Sequence, residues 1–490
     1  MSIPKIRIRR LNQRPIRVDG DYVLYWMIAN RRTRSNFSLE RAIEFSKERN
    51  KPLLILEALR CGYEWANDRL HRFALQGMSE NQKILQESSA TYYCYVEPEP
   101  GHGAGLLEAL AANASVIVTD DFPCFFIPRM LESAASRLPV RLEAIDSNGL
   151  LPMRAASQIY PTAYAFRRFL HKELPPHLLQ VPKANPLARV KLPDLNGIPP
   201  EIRERWPMAS PKTLQATPEI LLELPIDHSV RPANFVGGMT TARHALKQFL
   251  KKRFDRYLVE RNLPEQEVTS GLSPYLHFGH ISAHDIFDHI VNREHWSVEK
   301  VFDQKATGKR TGWWGMSETA EALLDQLVTW RELGYNMCWQ NSDYDQYESL
   351  PDWAQTTLAE HAHDLRAPCY SLEEFEQAQT HDPLWNATQK QLVSEGRMHN
   401  YMRMLWGKKI LHWSESPQAA LLTMIHLNNK YAVDGRNPNS YSGIFWCLGR
   451  YDRPWGPVRP IFGKVRYMTS ENTARKFRVK SYLERYGSDK

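Results

Sequence analysis

Cysteine is scarce and scattered. The six residues, at 61, 94, 124, 338, 369 and 447, include no C-x-x-C pair, so nothing in their spacing suggests a zinc, iron–sulfur or dithiol redox site. No metal is expected, and reduced thiols in a cytoplasmic protein are the simplest reading. Long apolar runs are missing too: none approaches the roughly 20 residues of a membrane span. The opening MSIPKIRIRR is charged and lacks the apolar stretch of a secretory signal. No G-x-G-x-x-G follows the first candidate strand, Gly101-His-Gly-Ala-Gly105 has the wrong spacing, and there is no Walker A sequence. These absences speak against a standard dinucleotide or NTP site in the N-terminal part of the chain. Internal repeats and low-complexity tracts are also lacking.

What is present is a chain of 490 residues, 42% hydrophobic and 24% charged. That is an ordinary globular composition with room for about three domains. The net charge is +8, and Arg397–Arg485 holds 16 basic against 5 acidic residues. Such a local excess fits a polyanion-facing surface, and equally a solvated basic one. Eleven of the 14 tryptophans lie between 296 and 490. Aromatics among arginines can stack bases or a planar cofactor, or simply fill a core.

Residues 21–175 alternate apolar runs with helical patterns. Strands are expected at Tyr22–Trp26, Pro52–Glu57, Ser115–Thr119 and Val140–Ala144, and helices at Leu39–Arg49 and Asp68–Gln86. This alternation predicts a parallel α/β sheet, with ligands at the carboxyl ends of its strands. Residues 175–232 hold 12 of the 32 prolines with little periodicity, the pattern of a connector. Helical periodicity then dominates, across Thr241–Arg261, Glu318–Met337, Met398–Trp413 and a helix capped by Ser416-Pro417 that ends near Asp434-Gly435. The expected division is an α/β domain at 1–175, a proline-rich linker at 176–235 and an all-α domain at 236–490.

Several patterns carry chemistry, each with a plain structural alternative. Thr269-Ser-Gly-Leu-Ser273 places hydroxyls and a glycine before a helix, as a phosphate site or an ordinary cap would. Gln326 and Trp330 stand one helical turn apart, an amide beside an indole, suited to a planar hydrogen-bonding ligand or to a core tryptophan with a surface glutamine. Trp406 and Trp413, seven residues apart, share a helix face and with Trp385 could pass an electron or pack a core. Asn428, in an apolar helix, needs a hydrogen-bond partner, whether ligand or backbone. Between Trp446 and Arg466 two tryptophans sit among five cations, including Arg453 and Arg459.

The ordered run TSGLSPYLHFGHIS, WRE, HDPLWNATQ, GRMHNYMRMLWGKKILHW, LNNKY, DGRNPN and GKVRYM resembles the DNA photolyase/cryptochrome superfamily, with the class II cyclobutane-pyrimidine-dimer (CPD) photolyases as the closest match. The match is strong and collinear from about 236 to 486 and looser before it, where YVLYWM and Asn36 remain. The resemblance implies a Rossmann-like N-terminal antenna domain with a parallel sheet and a C-terminal all-α FAD-binding domain. It implies a carbon–carbon lyase, a deoxyribodipyrimidine photo-lyase, acting as a monomer on UV-damaged DNA in the cytoplasm, at the nucleoid if the source is bacterial or archaeal. The cofactor implied is FAD, and a second antenna chromophore of deazaflavin or folate type is left open.

By the same resemblance, Tyr257, Thr269, Ser270, Gly271, Leu272 and Ser273 meet the FAD phosphates and ribose. Trp330, Arg331, Asn336, Arg403, Asp434 and Gly435 line the cofactor site, with Asn428 at the flavin N5. The electron path implied runs from Trp406 through Trp385 to Trp413 at the surface. Gln326, Trp330, Met404 and Trp446 surround the flipped-out dimer, and Arg453, Trp455 and Arg466 fill the gap in the duplex.

Departures from the class II pattern leave alternatives. Gln326 stands where CPD photolyases carry glutamate, and glutamine there is a feature of (6-4) photolyases and cryptochromes. A (6-4) enzyme would need a general acid, usually histidine, and His277, His280 and His399 lie nearest the motifs. A cryptochrome-type photoreceptor would often carry a long tail, whereas four residues follow Tyr486, which counts toward repair. The stretch Ala306–Gly315 is longer than the pattern expects and has no assigned role, a solvated loop or an additional DNA contact.

Overall fold

The computed structural model describes residues 2–487. Two compact units emerge: Met1–Ala156 with Glu173–Lys247 and Gly271–Asp303, and Ser157–Lys172 with Gln248–Ser270 and Gln304–Lys490. They are units of packing, and the consecutive blocks expected from sequence are a division of another kind.

The first unit is built on a six-stranded sheet. Its strands are β1 (Ile8–Arg10), β2 (Tyr22–Met27), β3 (Leu53–Leu59), β4 (Ala90–Val96), β5 (Ala114–Asp120) and β6 (Leu142–Ile145), in the order β1-β6-β5-β2-β3-β4. All pairs are parallel except β1 with β6. Every residue of β2 and β5 is buried, because helices cover both faces of a parallel sheet and favour continuous apolar runs over alternation. The expected four strands are present. The tyrosine-rich β4 and the short antiparallel β1 were not foreseen.

The strand order reverses between β2 and β5, the place where doubly wound sheets hold ligands. Here the chain fills it itself. One Asp120 oxygen accepts from Tyr25 Oη (2.9 Å) and the other from the N–H groups of Ile28, Ala29 and Asn30 (2.9, 2.8 and 2.9 Å). Three successive N–H groups that could cradle a phosphate are thus spent on a carboxylate. Asn36 caps the helix Phe37–Arg49 and ties back to Tyr25 Oη. The proline-rich segment packs on this unit: Leu192, Ala209, Leu214, Leu221 and Leu224 join the core of β2, β3 and β5. Its short helices at Pro175–Leu178, Pro200–Arg205, Pro211–Leu214 and Pro218–Leu222 each open with proline, whose fixed φ suits a first turn.

The second unit is helical. The expected helix Thr241–Arg261 breaks at Arg253 into Met239–Lys252 and Phe254–Glu260. Glu318–Met337 is also interrupted: α-helix over Glu318–Leu324, π-helix over Asp325–Trp330, then α-helix over Arg331–Gln340. The helix Pro438–Cys447 packs against Arg331–Gln340, Asn400–Trp413 and Pro417–Tyr431. Two glycines permit that approach. A Cβ on Gly334 would lie 2.7 Å from the Pro438 carbonyl, and one on Gly407 would lie 2.5 Å from Cys447 Sγ. Among the described residues no helix is long and apolar enough to cross a membrane, and no group of three His, Cys, Asp or Glu is arranged to hold a metal ion.

Candidate functional site

From Ala320 to Cys338 every residue is buried except Gln326 and Trp330, which are half-buried. The π-turn that carries them is a rare geometry, frequent at functional sites. Neither end of the Gln326 amide is hydrogen-bonded among the described residues, and no aromatic or cationic group packs on Trp330. The neighbouring acid does not share that opening. Asp325 is buried and paired with Arg167 (2.8 Å) and Arg310 (3.4 Å), so its carboxylate is spent inside the fold.

Arg403 and Met404, half-buried, project from the helix Asn400–Trp413. The Arg403 guanidinium pairs with Asp434 at 3.3 Å. Asn428 is buried; its Nδ2 donates to Asn429 Oδ1 (3.1 Å), and its Oδ1 takes no hydrogen bond among the described residues. Asn429 is the structural one of the two. It also accepts from the Arg436 N–H (2.9 Å) and donates to Tyr441 Oη (3.3 Å), holding the turn through Asp434 and Gly435. Arg331 is buried with Nη2 donating to Tyr335 Oη (3.1 Å) while Nη1 has no partner. Orphaned N–H on a buried guanidinium calls for an acceptor.

Asn336, expected beside these residues, is otherwise engaged. Its Oδ1 accepts from the Tyr160 N–H (3.2 Å) and its Nδ2 donates to the Gln158 carbonyl (2.9 Å), so it pins that segment down. Tyr257 is buried against Phe249 with Arg261 over its ring. Thr269 and Ser270 are half-buried and belong to the second unit, while Gly271, Leu272 and Ser273 fall in the first. Capping does not use these hydroxyls: the short helix Ser273–His277 has Leu272 at its N-cap and no side-chain cap.

Trp446 begins a ladder of alternating rings and guanidiniums. Arg466 lies 5.5 Å from the Trp446 ring and 4.0 Å from the Trp455 ring, and Arg453 lies 4.7 Å from Trp455 on the solvent side. Asp452 holds it together, accepting from Arg466 Nε (2.9 Å), Arg466 Nη2 (3.2 Å) and Trp455 Nε1 (3.0 Å). Burial pushes the Asp452 carboxyl up, but these donors hold it below its ordinary range. Beneath Trp446, Lys408 is fully buried, donates to the Cys447 carbonyl (2.7 Å) and lies 4.9 Å from the ring; burial lowers its pKa to about 8. Neither Asp452 nor Lys408 was singled out from sequence, since an acid and a lysine within a basic stretch carry no periodic signal.

The three tryptophans expected to pass electrons form a connected set. Trp406 Nε1 donates to Gln389 Oε1 (2.9 Å), Trp385 Nε1 donates to the Trp406 carbonyl (3.0 Å), and the Trp385 and Trp413 rings are 6.0 Å apart at 72°. The expectation of Trp413 at the surface is corrected: it is 2% exposed. The segment before the helix Pro383–Glu395 folds over it, placing Tyr370 (5.8 Å) and exposed His381 (4.9 Å) against the ring.

Two of the three candidate histidines, His280 and His399, are structural. His280 Nδ1 accepts from the Gly238 N–H (2.9 Å), and burial lowers its pKa to about 3. His399 caps the helix Asn400–Trp413 and bonds the Arg261 carbonyl (3.0 Å); burial lowers its pKa to about 4.

No protein-family model matches the chain. The deoxyribodipyrimidine photo-lyase of Methanothermobacter thermautotrophicus is 33% identical over 480 residues, covering 98% of this chain and 97% of the relative. A class III photolyase from Agrobacterium tumefaciens superposes with a TM-score of 0.66 at 15% identity, over 95% of this chain and 86% of that one. A cryptochrome from Synechocystis does so with a TM-score of 0.64, also at 15%, over 95% and 88%. At that identity the two structures speak for the fold alone, and a fold does not by itself fix an activity.

Proposed function

The chain belongs to the deoxyribodipyrimidine photo-lyase family, and from that premise we propose that it repairs UV-induced cyclobutane pyrimidine dimers in DNA by light-driven electron transfer to a flipped-out lesion. The observation that carries the reading is the pair Gln326 and Trp330, the two uncovered side chains in an otherwise buried run. An unpaired amide beside an indole face offers hydrogen bonding and stacking to two linked pyrimidines of one strand turned out of the helix. A dimer stacks and pairs poorly, so extruding it costs less than extruding normal bases.

The residues present fit FAD. The orphaned Nη1 of Arg331 suits an acceptor on the cofactor, the open Oδ1 of Asn428 suits an N–H donor such as the flavin N5, and the Arg403–Asp434 pair offers both signs of charge beside it. Thr269 and Ser270 are proposed at the phosphates, with Tyr257 alongside. When bound, FAD supplies the light absorption and the electron. The chain's own part is to hold it, exclude water and present the lesion. Trp406, Trp385 and Trp413 are proposed to carry electrons inward for its reduction, and Met404 and Trp446 to pack around the lesion. The ladder of Arg466, Trp455 and Arg453 is shaped to fill the space the lesion leaves, its planar groups standing in for stacked bases. Arg466→Ala should weaken duplex binding and lower the slope of log K against log salt by about one; a slope equal to the parent's would remove Arg466 from the interface.

Gln326 favours a second reading, a (6-4) photolyase. Against it, buried His280 and half-buried His399 are neutral and committed to the fold, which leaves half-buried His277 as the remaining candidate acid. The deciding experiment illuminates the purified, reduced protein with one oligonucleotide carrying a CPD and another carrying a (6-4) photoproduct. Restoration of the CPD strand supports the proposal. Repair of the (6-4) strand alone makes Gln326 diagnostic, and flavin photoreduction with neither strand repaired moves the protein to the photoreceptors. In the CPD assay, Gln326→Glu should raise the repair rate by up to about tenfold, because a protonated carboxyl donates a stronger hydrogen bond than an amide to the negative charge that electron transfer places on the lesion. An unchanged rate would mean that this position does not select the lesion.

A further inference from the structure

The long stretch before Gln326 is not a slack insertion. Its two tryptophans are buried, and Trp313 stacks flat on His171 at 4.3 Å. Glu321 collects the N–H groups of Gly312, Gly315 (3.0 Å) and Met316 (3.4 Å). Gly308 is clasped at both ends, its N–H on His171 Nδ1 (3.3 Å) and its carbonyl on Arg167 Nη1 (3.2 Å). Anchored in this way, the loop turns Lys305, Lys309 and Arg310 to solvent with no acid between them. Arg310 is 59% exposed yet reaches the buried Asp325, which ties the loop to the π-turn.

A second element extends the surface. On the helix Ala163–Glu173, Tyr164, Arg168 and Lys172 recur every fourth residue and are all exposed, Tyr164 at 58%. At that spacing they share one face. Gly308 crosses against this face: a Cβ there would lie 3.1 Å from Arg168 Cβ and 3.2 Å from the Tyr164 ring. Five cations and an exposed tyrosine therefore lie side by side. Arg168, Lys305 and Lys309 have no acidic partner among the described residues. The nearby acids Glu321 and Asp325 are buried and spent on the loop itself, which leaves exposed Glu318, half-buried Glu173 and, two residues before Lys305 in the chain, exposed Asp303.

We propose that Tyr164, Arg168, Lys172, Lys305, Lys309 and Arg310 form a second nucleic-acid platform, separate from the ladder at Trp446–Arg466, that grips the phosphodiester backbone of duplex flanking the lesion. The inference rests on the DNA-repair reading. Arg168, Lys305 and Lys309, held on a rigid support, gain counterion release without the ordering cost of a flexible loop, and the exposed tyrosine adds a stacking or sugar contact.

The test uses the flavin-loaded protein and an undamaged duplex titrated across a salt series. Combined Arg168→Ala, Lys305→Ala and Lys309→Ala should bind at least about tenfold more weakly at low salt and lose about 2 to 3 from the salt slope, at roughly 0.9 per phosphate contact. Repair of a dimer within a dinucleotide, too short to reach the platform, should stay at the parent rate. Should the triple variant unfold at a lower temperature, Lys309→Glu alone at the loop tip must still weaken duplex binding. A variant with the parent's salt slope overturns the platform. A parent that binds no duplex at low salt overturns the DNA-repair reading itself.

Discussion

Replacing Trp406 by phenylalanine should leave FAD bound and slow light-driven flavin reduction by an order of magnitude or more. Of the two tryptophans on the helix Asn400–Trp413 it is the nearer in sequence to Arg403, and its backbone carbonyl receives the Trp385 indole N–H at 3.0 Å. Phenylalanine keeps most of the packing volume but is far harder to oxidise than an indole, so the path from Trp385 and Trp413 is cut at its inner end. The structural cost is bounded: Gln389 Oε1 loses its only indole donor, about 1–3 kcal/mol for an unsatisfied buried acceptor. Bleaching of the oxidised flavin absorbance under blue light, with an external reductant present, measures the rate. Photoreduction at the parent rate would show that electrons enter by another route. Repair by chemically reduced variant should be preserved, since the relay acts before the lesion is engaged.

Asp325→Ala should destabilise the helical unit by about 3–5 kcal/mol, the usual penalty for stripping one partner from a buried ion pair. Arg167 is buried and meets Asp325 at 2.8 Å, and its remaining bond is to the Gly308 carbonyl. Without the carboxylate a desolvated guanidinium is left uncompensated. The expected fall in thermal midpoint is about 10 °C. Asp325→Asn, which keeps the shape and one acceptor, should cost less. Because Arg310 is tethered through the same carboxylate, duplex affinity should drop along with stability. An unaltered midpoint would mean that water replaces the pair and that the π-turn does not depend on it.

How much was legible in the sequence can be judged from these residues. The helix Asp68–Gln86 and the strands β2, β3 and β5 follow from local periodicity and apolar runs, because burial on both faces leaves a direct mark on composition. β4 escaped because its tyrosines read as polar-aromatic rather than as a buried strand, and β1 because three residues carry no period. The ordered motifs identified the family although each was ambiguous, since order and spacing along a chain are independent constraints. Trp413 was placed at the surface because nothing in the sequence shows that Tyr370 and His381, more than 30 residues away, fold over it. For Asn336 the resemblance implies a place at the cofactor, and no local pattern shows that its amide also holds Gln158 and Tyr160.

The sequence by itself determined the family, the α/β and helical character of the two halves, and the positions that carry amides, indoles and cations, because these depend on residue type and local spacing. Tertiary structure alone decided which of them remain uncovered. Gln326 and Asp325 are neighbours in the chain, yet one is open and the other locked between two arginines. Arg466 and Asp452, 14 residues apart, become one side of a stacked ladder, and an unassigned loop becomes a braced cationic face. The physical reason is the same in each case: satisfaction of a buried polar group depends on partners brought from distant segments, and only packing says which partners arrive.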